Sequence, residues 1–119
     1  MNILLIDDDE ASNAYTEIML NRSGLLSTLD VFRNGEKALN FVLELIPQQK
    51  IDFILLDINM PVMSGHEFLE ALHNNQKNIP VVILSTSIIE EDEQEALKYD
   101  FVKGYLNKPI SLENLQKLL

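Results

Sequence analysis

The chain has 119 residues, nine lysines and arginines against nineteen aspartates and glutamates, a formal net charge of −10 and no cysteine. That length fits one domain, able to bury roughly 65% of its unfolded surface and to fold without staples. The acidic balance argues against direct nucleic-acid binding, which needs clustered cations, and the lack of cysteine excludes disulfides, a thiol nucleophile and a thiolate metal site.

No apolar run approaches the ~18 residues of a membrane span, so no membrane insertion is expected. The N-terminus lacks a basic region followed by a long apolar stretch, which speaks against a secretory signal and for a cytoplasmic location. No internal repeat, low-complexity tract or linker interrupts the pattern.

Ile3-Leu4-Leu5-Ile6 is a continuous apolar run that predicts a strand buried on both faces. Four acidic residues, Asp7 to Glu10, follow at once. Asp9 can cap a helix, and Glu10 suits the positive end of a helix dipole. Ala11, Ala14, Tyr15, Ile18 and Met19 then recur at helical spacing, with Gly24 as the stop. Thr28 to Phe32 alternates weakly and reads as a strand. Asn34-Gly35 makes a turn into a helix with Ala38, Phe41, Val42 and Leu45 on one face, ended by Pro47. Ile51 to Leu56 is a second strongly apolar strand and stops at Asp57. After the turn "INMPVMSG", Ser64 to Asn75 is a helix with Phe68, Ala71 and Leu72 on one face. Met60 and Met63 fill core and turn space. His66 and His73 share this helix without a second nitrogen ligand nearby and are expected to be solvated. Val81 to Leu84 is a β-branched strand entered through Pro80 and followed by Ser85. Glu90 to Tyr99 is an acidic helix with a thin apolar face, Ala96 and Leu97, its "EEDEQE" run solvated. Gly104 to Asn107 is a short last strand. Ser111 caps a final helix with Leu112, Leu115, Leu118 and Leu119 inward.

Strands alternating with helices imply a parallel α/β sheet covered on both faces, because parallel neighbours need crossover connections. The two most apolar strands, Ile3–Ile6 and Ile51–Leu56, belong at its centre. Sheets of this kind bind ligands beyond the carboxyl ends of their strands. Asp7 and Asp8, Asp57, Ser85 and Lys108 all fall on that edge, although they are far apart in sequence. Singly, each has a plain account: Asp57 closes a strand, Ser85 is a satisfied strand-end hydroxyl and Lys108 a solvated lysine. Jointly they describe a site. Clustered carboxylates without histidine or cysteine offer hard oxygen ligands, which suit Mg2+ rather than zinc. A carboxylate can also attack phosphorus to give an acyl phosphate. Phosphoryl transfer needs mainly positioning and charge neutralisation, which Mg2+ and Lys108 would supply, with Ser85 as a donor to a phosphoryl oxygen. Pro109 restricts the Lys108 backbone toward an extended form that helps aim it.

The segments "LLIDDD", "NGEKAL", "DFILLDINMPVMSG", "IPVVILSTS" and "YLNKP" resemble a response-regulator receiver domain of two-component signalling, of the single-domain chemotaxis-regulator kind. The resemblance covers residues 1–119 as one domain. It implies a flavodoxin-like, doubly wound five-stranded parallel sheet in the order 2-1-3-4-5 with five helices. It implies that Asp57 is the phosphoacceptor, that Asp8 coordinates Mg2+ directly with Asp7 helping through water, and that Asn59 gives its backbone carbonyl to the metal. Lys108 would contact the phosphoryl group, its bond to Pro109 being typically cis. Ser85 would be the switch hydroxyl and Tyr105 the aromatic switch, together reshaping the surface of Glu90–Tyr99, Gly104–Asn107 and Ser111–Leu119. The implied partners are a histidine kinase or histidine phosphotransfer protein and an unknown downstream protein. Ser85 departs from the commoner threonine, and "YDFVKGY" from the usual Gly-Ala before the last strand. Asn59 and Ser87 flank the site at positions that tune phosphate lifetime in the family. An aspartyl-nucleophile phosphatase is the alternative, but Asp57-Ile58-Asn59 lacks the second aspartate that such an enzyme uses as acid and base.

Overall fold

The structure, a computed structural model, describes residues 1–86 and 89–118. Ser87 and the inward placement expected of Leu119 therefore lie outside the described residues. Five strands, β1 (Asn2–Ile6), β2 (Thr28–Phe32), β3 (Phe53–Asp57), β4 (Val81–Ser85) and β5 (Val102–Asn107), alternate with α1 (Glu10–Ser23), α2 (Gly35–Leu43), α3 (Gly65–Asn74), α4 (Glu90–Leu97) and α5 (Leu112–Leu118). All strand pairs are parallel, in the order β2-β1-β3-β4-β5.

The two apolar strands are central, as expected, and the side-chain period of two sorts their residues between two cores. Leu4, Ile6, Ile54, Leu56, Val81 and Ile83 meet α2, α3 and α4 through Ala38, Val42, Phe68, Leu72 and Ala96. Ile3, Leu5, Leu55, Val82 and Leu84 meet α1 and α5 through Met19, Leu20 and Leu115. Met60 is buried and Met63 packs beside it, as the sequence suggests. Burying each large aliphatic side chain contributes about 2 kcal/mol, so these two layers dominate the stability.

Several boundaries differ from expectation. Strand β3 starts at Phe53 and takes in Asp57, which sits in register with Leu84 of β4. The acceptor candidate is thus held by the sheet ladder rather than by the loop beyond it. Strand β5 starts at Val102, because Val81 pairs with Val102 but Val82 with Gly104. Lys103 is the extra residue of this bulge. Helix α2 ends at Leu43, short of Pro47, with Glu44 as its C-cap.

The inward face of α1 is not the one expected. Asn13, Thr16, Met19 and Leu20 are buried, whereas Ala11 and Ala14 are exposed and Tyr15 and Ile18 are 40% and 50% exposed. Polar contacts turn the helix. Asp9 caps it through the N–H groups of Ala11 and Ser12, and the Asn13 side-chain amide donates to the Asp7 carbonyl at 2.9 Å. The amide N–H of Asn13 is thereby paired, while its Oδ1 is buried without a partner among the described residues, on a face that hydropathy reads as outward. Gly24 ends α1 in the left-handed region, φ 74°, as its position predicts.

In α4, Ala96 is buried but Leu97 is 45% exposed, so the apolar face is thinner than expected. Tyr99 follows the helix end and stacks on Phe101, ring centroids 5.4 Å apart. His66 is not solvated: half-buried on α3, its Nε2 lies 3.1 Å from Asp92 Oδ1 on α4. His73 is exposed beside Tyr99.

Candidate functional site

Strand β1 ends at Ile6, so Asp7 and Asp8 emerge directly at the carboxyl edge of the sheet. Asp7 is fully buried and every oxygen of its carboxylate is occupied. Oδ1 accepts from the Asp9 N–H at 2.9 Å. Oδ2 accepts from Ser12 Oγ at 3.0 Å and from Lys108 Nζ at 2.5 Å. The Lys108 N–H donates to the Ser85 carbonyl at 2.8 Å, which ties the residue after β5 to the end of β4. From there its ammonium lies 3.7 Å from Asp57 Oδ1. The Lys108–Pro109 bond is cis, as the resemblance implies.

Asp57 is 6% exposed and Oδ1 accepts from the Asn59 N–H at 3.4 Å. Asp8 is half-buried, and its carbonyl accepts from the Arg33 guanidinium at 3.2 and 3.3 Å. One carboxylate oxygen each from Asp7, Asp8 and Asp57 lie within 4.8 Å of one another. Ser85 is fully buried at the end of β4, paired with Asn107. Tyr105 pairs with Ile83 and packs against the α2–α3–α4 core, with its hydroxyl buried and unpartnered among the described residues. The structure therefore brings together Asp7, Asp8, Asp57 and Lys108, with Asn59 and Ser85 joined to Asp57 and Lys108 through backbone hydrogen bonds, and sets Tyr105 two residues before Asn107 on the same strand.

Ser12, Asn13 and Arg33 are absent from the sequence-derived site. The signal for the first two was there: polar residues interrupt the apolar helical pattern one turn after Asp9. Arg33, the residue after β2, carried no spacing that distinguishes it from a solvated cation.

Burial pushes the Asp57 carboxyl up from 3.8 to about 7; Lys108 pulls it down, Asp7 raises it, the Asn59 N–H lowers it and Asp8 raises it. The donor set fits a divalent cation. It is all hard oxygen, and with Asp57 ionised three carboxylates face one ammonium.

A family model described as "Response regulator receiver domain" matches residues 3–119. The chain belongs to the response-regulator receiver domain family. Phosphorylation by a kinase in two-component signalling is the general function of such receivers. The receiver is 35% identical over 117 residues to the nitrate/nitrite response regulator NarL of Escherichia coli K12, covering 98% of this chain but only 52% of NarL. It is 33% identical over 122 residues to response regulator Rcp1 of Synechocystis, covering 98% of this chain and 82% of Rcp1. A solved structure, the Mn2+-bound form of Rcp1, matches the receiver with a TM-score of 0.80 at 31% identity over 98% of this chain and 86% of that one. No described helix of the receiver is long and apolar enough to cross a membrane.

The raised Asp57 carboxyl contributes to the pH dependence of this receiver in the absence of metal. A carboxyl whose folded value lies above its unfolded one binds an extra proton in the folded state between the two. Its contribution to stability is therefore greatest near pH 4 and is lost as pH rises to about 7. Divalent-cation affinity should run the other way, rising through pH 7 as Asp57 gives up its proton. Calorimetric titrations with Mg2+ at pH 6 and pH 8 check this, and equal affinity at the two would contradict it.

Proposed function

We propose that this receiver is a switch driven by phosphorylation of Asp57, with a histidine kinase or histidine phosphotransfer protein as donor. One observation carries the reading: a lysine ammonium sits between two buried carboxylates contributed by distant parts of the chain. An ionised Asp57 oxygen attacks phosphorus. The phosphorus–nitrogen bond of the donor phosphohistidine breaks, and its electron pair returns to the imidazole ring. Lys108, already 3.7 Å from the attacking carboxylate, meets the arriving phosphoryl oxygens. The Ser85 hydroxyl donates to another of them. Mg2+, held by the carboxylates of Asp8 and Asp57 with the Asn59 carbonyl and by Asp7 through water, would neutralise charge on the transferring group.

The new group adds about −1.5 to −2 charges at a buried edge. Ser85 moves toward it, and Tyr105 follows into the space vacated, altering the face of α4, β5 and α5 for a downstream partner protein. In this reading the receiver is cytoplasmic and acts once per phosphorylation rather than turning over substrate.

Incubation with acetyl phosphate and Mg2+, followed by intact mass, tests the reading. The chain should gain one phosphate and Asp57→Ala none. An unlabelled wild type removes the switch, and equal labelling of Asp57→Ala removes the assignment.

A further inference from the structure

Asp7 Oδ2 takes hydrogen bonds from two donors that come from opposite ends of the chain, the Lys108 ammonium and the Ser12 hydroxyl. Asp7 is fully buried, so an oxygen that loses its donor recovers nothing from bulk water. In the unphosphorylated receiver Lys108 is committed to Asp7. At 3.7 Å its ammonium is beyond hydrogen-bond distance of Asp57 Oδ1. A phosphoryl group arriving on Asp57 draws that ammonium away, and Asp7 is then short of one donor.

Ser12 is placed to cover the shortfall. Its own N–H is fixed to Asp9 Oδ1 at 3.2 Å. The next residue, Asn13, is fixed to the Asp7 carbonyl at 2.9 Å. The first turn of α1 thus wraps Asp7 through contacts that do not involve Lys108. We propose that Ser12 is a positioning residue whose hydroxyl keeps Asp7 Oδ2 satisfied, so that Lys108 is free to swing to the phosphoryl group on Asp57. This rests on the reading of Asp57 as acceptor. With acetyl phosphate as donor, the Asp57 oxygen–phosphorus bond forms and the phosphorus–oxygen bond to acetate breaks, the electron pair leaving with acetate. Ser12 and Lys108 keep their protons throughout.

The test measures rates of phosphate gain from acetyl phosphate and Mg2+ by intact mass, at a temperature where circular dichroism shows each variant folded. Ser12→Ala should be slowed about ten- to a hundredfold, the size of one hydrogen bond to a charged group. Ser12→Thr, which keeps the hydroxyl, should stay within about twofold of wild type. A purely structural role would leave the folded Ser12→Ala chain as fast as wild type. If Ser12→Ala does not fold, Ser12→Cys takes its place, keeping the volume with a far weaker donor. An alanine variant within twofold of wild type, or a threonine variant as slow as alanine, overturns the proposal. Failure of the wild type itself to label strikes the acceptor reading, and this inference falls with it.

Discussion

Lys108→Ala should destabilise the metal-free receiver by about 3 kcal/mol and nearly abolish its phosphorylation. The lysine is 13% exposed and Asp7 is completely enclosed, so removing the cation leaves a buried carboxylate that keeps its hydrogen bonds from Ser12 and the Asp9 N–H but has lost its counter-charge. Breaking one side of a buried pair is costly for that reason, whatever the pair contributes relative to an apolar replacement. The effect has a pH signature. Lys108 is the main influence holding the Asp57 carboxyl down against burial, so its loss sends that carboxyl above its present value of about 7. A raised carboxyl supports the fold at low pH and ceases to do so as pH climbs. The deficit of the variant should therefore be larger at pH 8 than at pH 5. Urea unfolding in the presence of a chelator at the two pH values measures it, and Mg2+ should restore part of the loss by replacing the missing positive charge. A variant as stable as wild type at both values would mean that the pair does not form.

Gly65→Ala should cost about 3 kcal/mol and slow phosphorylation as well. Gly65 opens α3, just after Ser64, which caps the helix in a reciprocal arrangement with Glu67. An added Cβ would lie 2.6 Å from the Ile58 Cα and 2.8 Å from the Asp57 carbonyl oxygen. Both are backbone atoms, of Asp57 and the residue after it, and neither can step aside as a side-chain tip would. The helix start must move away, losing the hydrogen bond from the Gly65 N–H to the Ile58 carbonyl, or β3 must shift and carry Asp57 with it. Gly24→Ala is the control. Its φ is +74° but nothing lies within 4 Å of the new atom, so it should cost only about 1 kcal/mol from backbone strain and leave the site untouched. Thermal unfolding and labelling of both variants separate the cases. Equal stability of Gly65→Ala and wild type would refute the close packing of α3 on β3.

Much of this was legible in the sequence because a parallel sheet announces itself in unbroken apolar runs. Ile3–Ile6 and Ile51–Leu56 located the two central strands, and the residues after each strand located the acidic edge. Strand order was not legible from periodicity; it came with the family resemblance. The errors share a cause. Hydropathy assumes that polar side chains face water, yet Asn13 and Thr16 turn inward on α1 while Tyr15 and Ile18 turn outward. His66 was misjudged in the same way, since its partner Asp92 is 26 residues further along the chain and only the packing of α3 beside α4 brings them together. Ser12 is marked in the sequence only as a polar break in the apolar helical pattern, which does not tell its single hydrogen bond to Asp7, five residues back, from a solvated serine.

Among the described residues, helix α4 meets the rest of the molecule through the enclosed Ala96, the Asp92–His66 link and Tyr99 just past its end, with most of its length exposed. The acidic edge, by contrast, is tied to the ends of β1, β3 and β4 and to the first turn of α1 by hydrogen bonds and ion pairs. In the proposed switch, such a division would put the chemistry on the well-tied edge and the readout on the lightly held helix. Phosphorylation would then be expected to reseat this outer cylinder while the interior keeps its shape, which amide exchange confined to α4 would register.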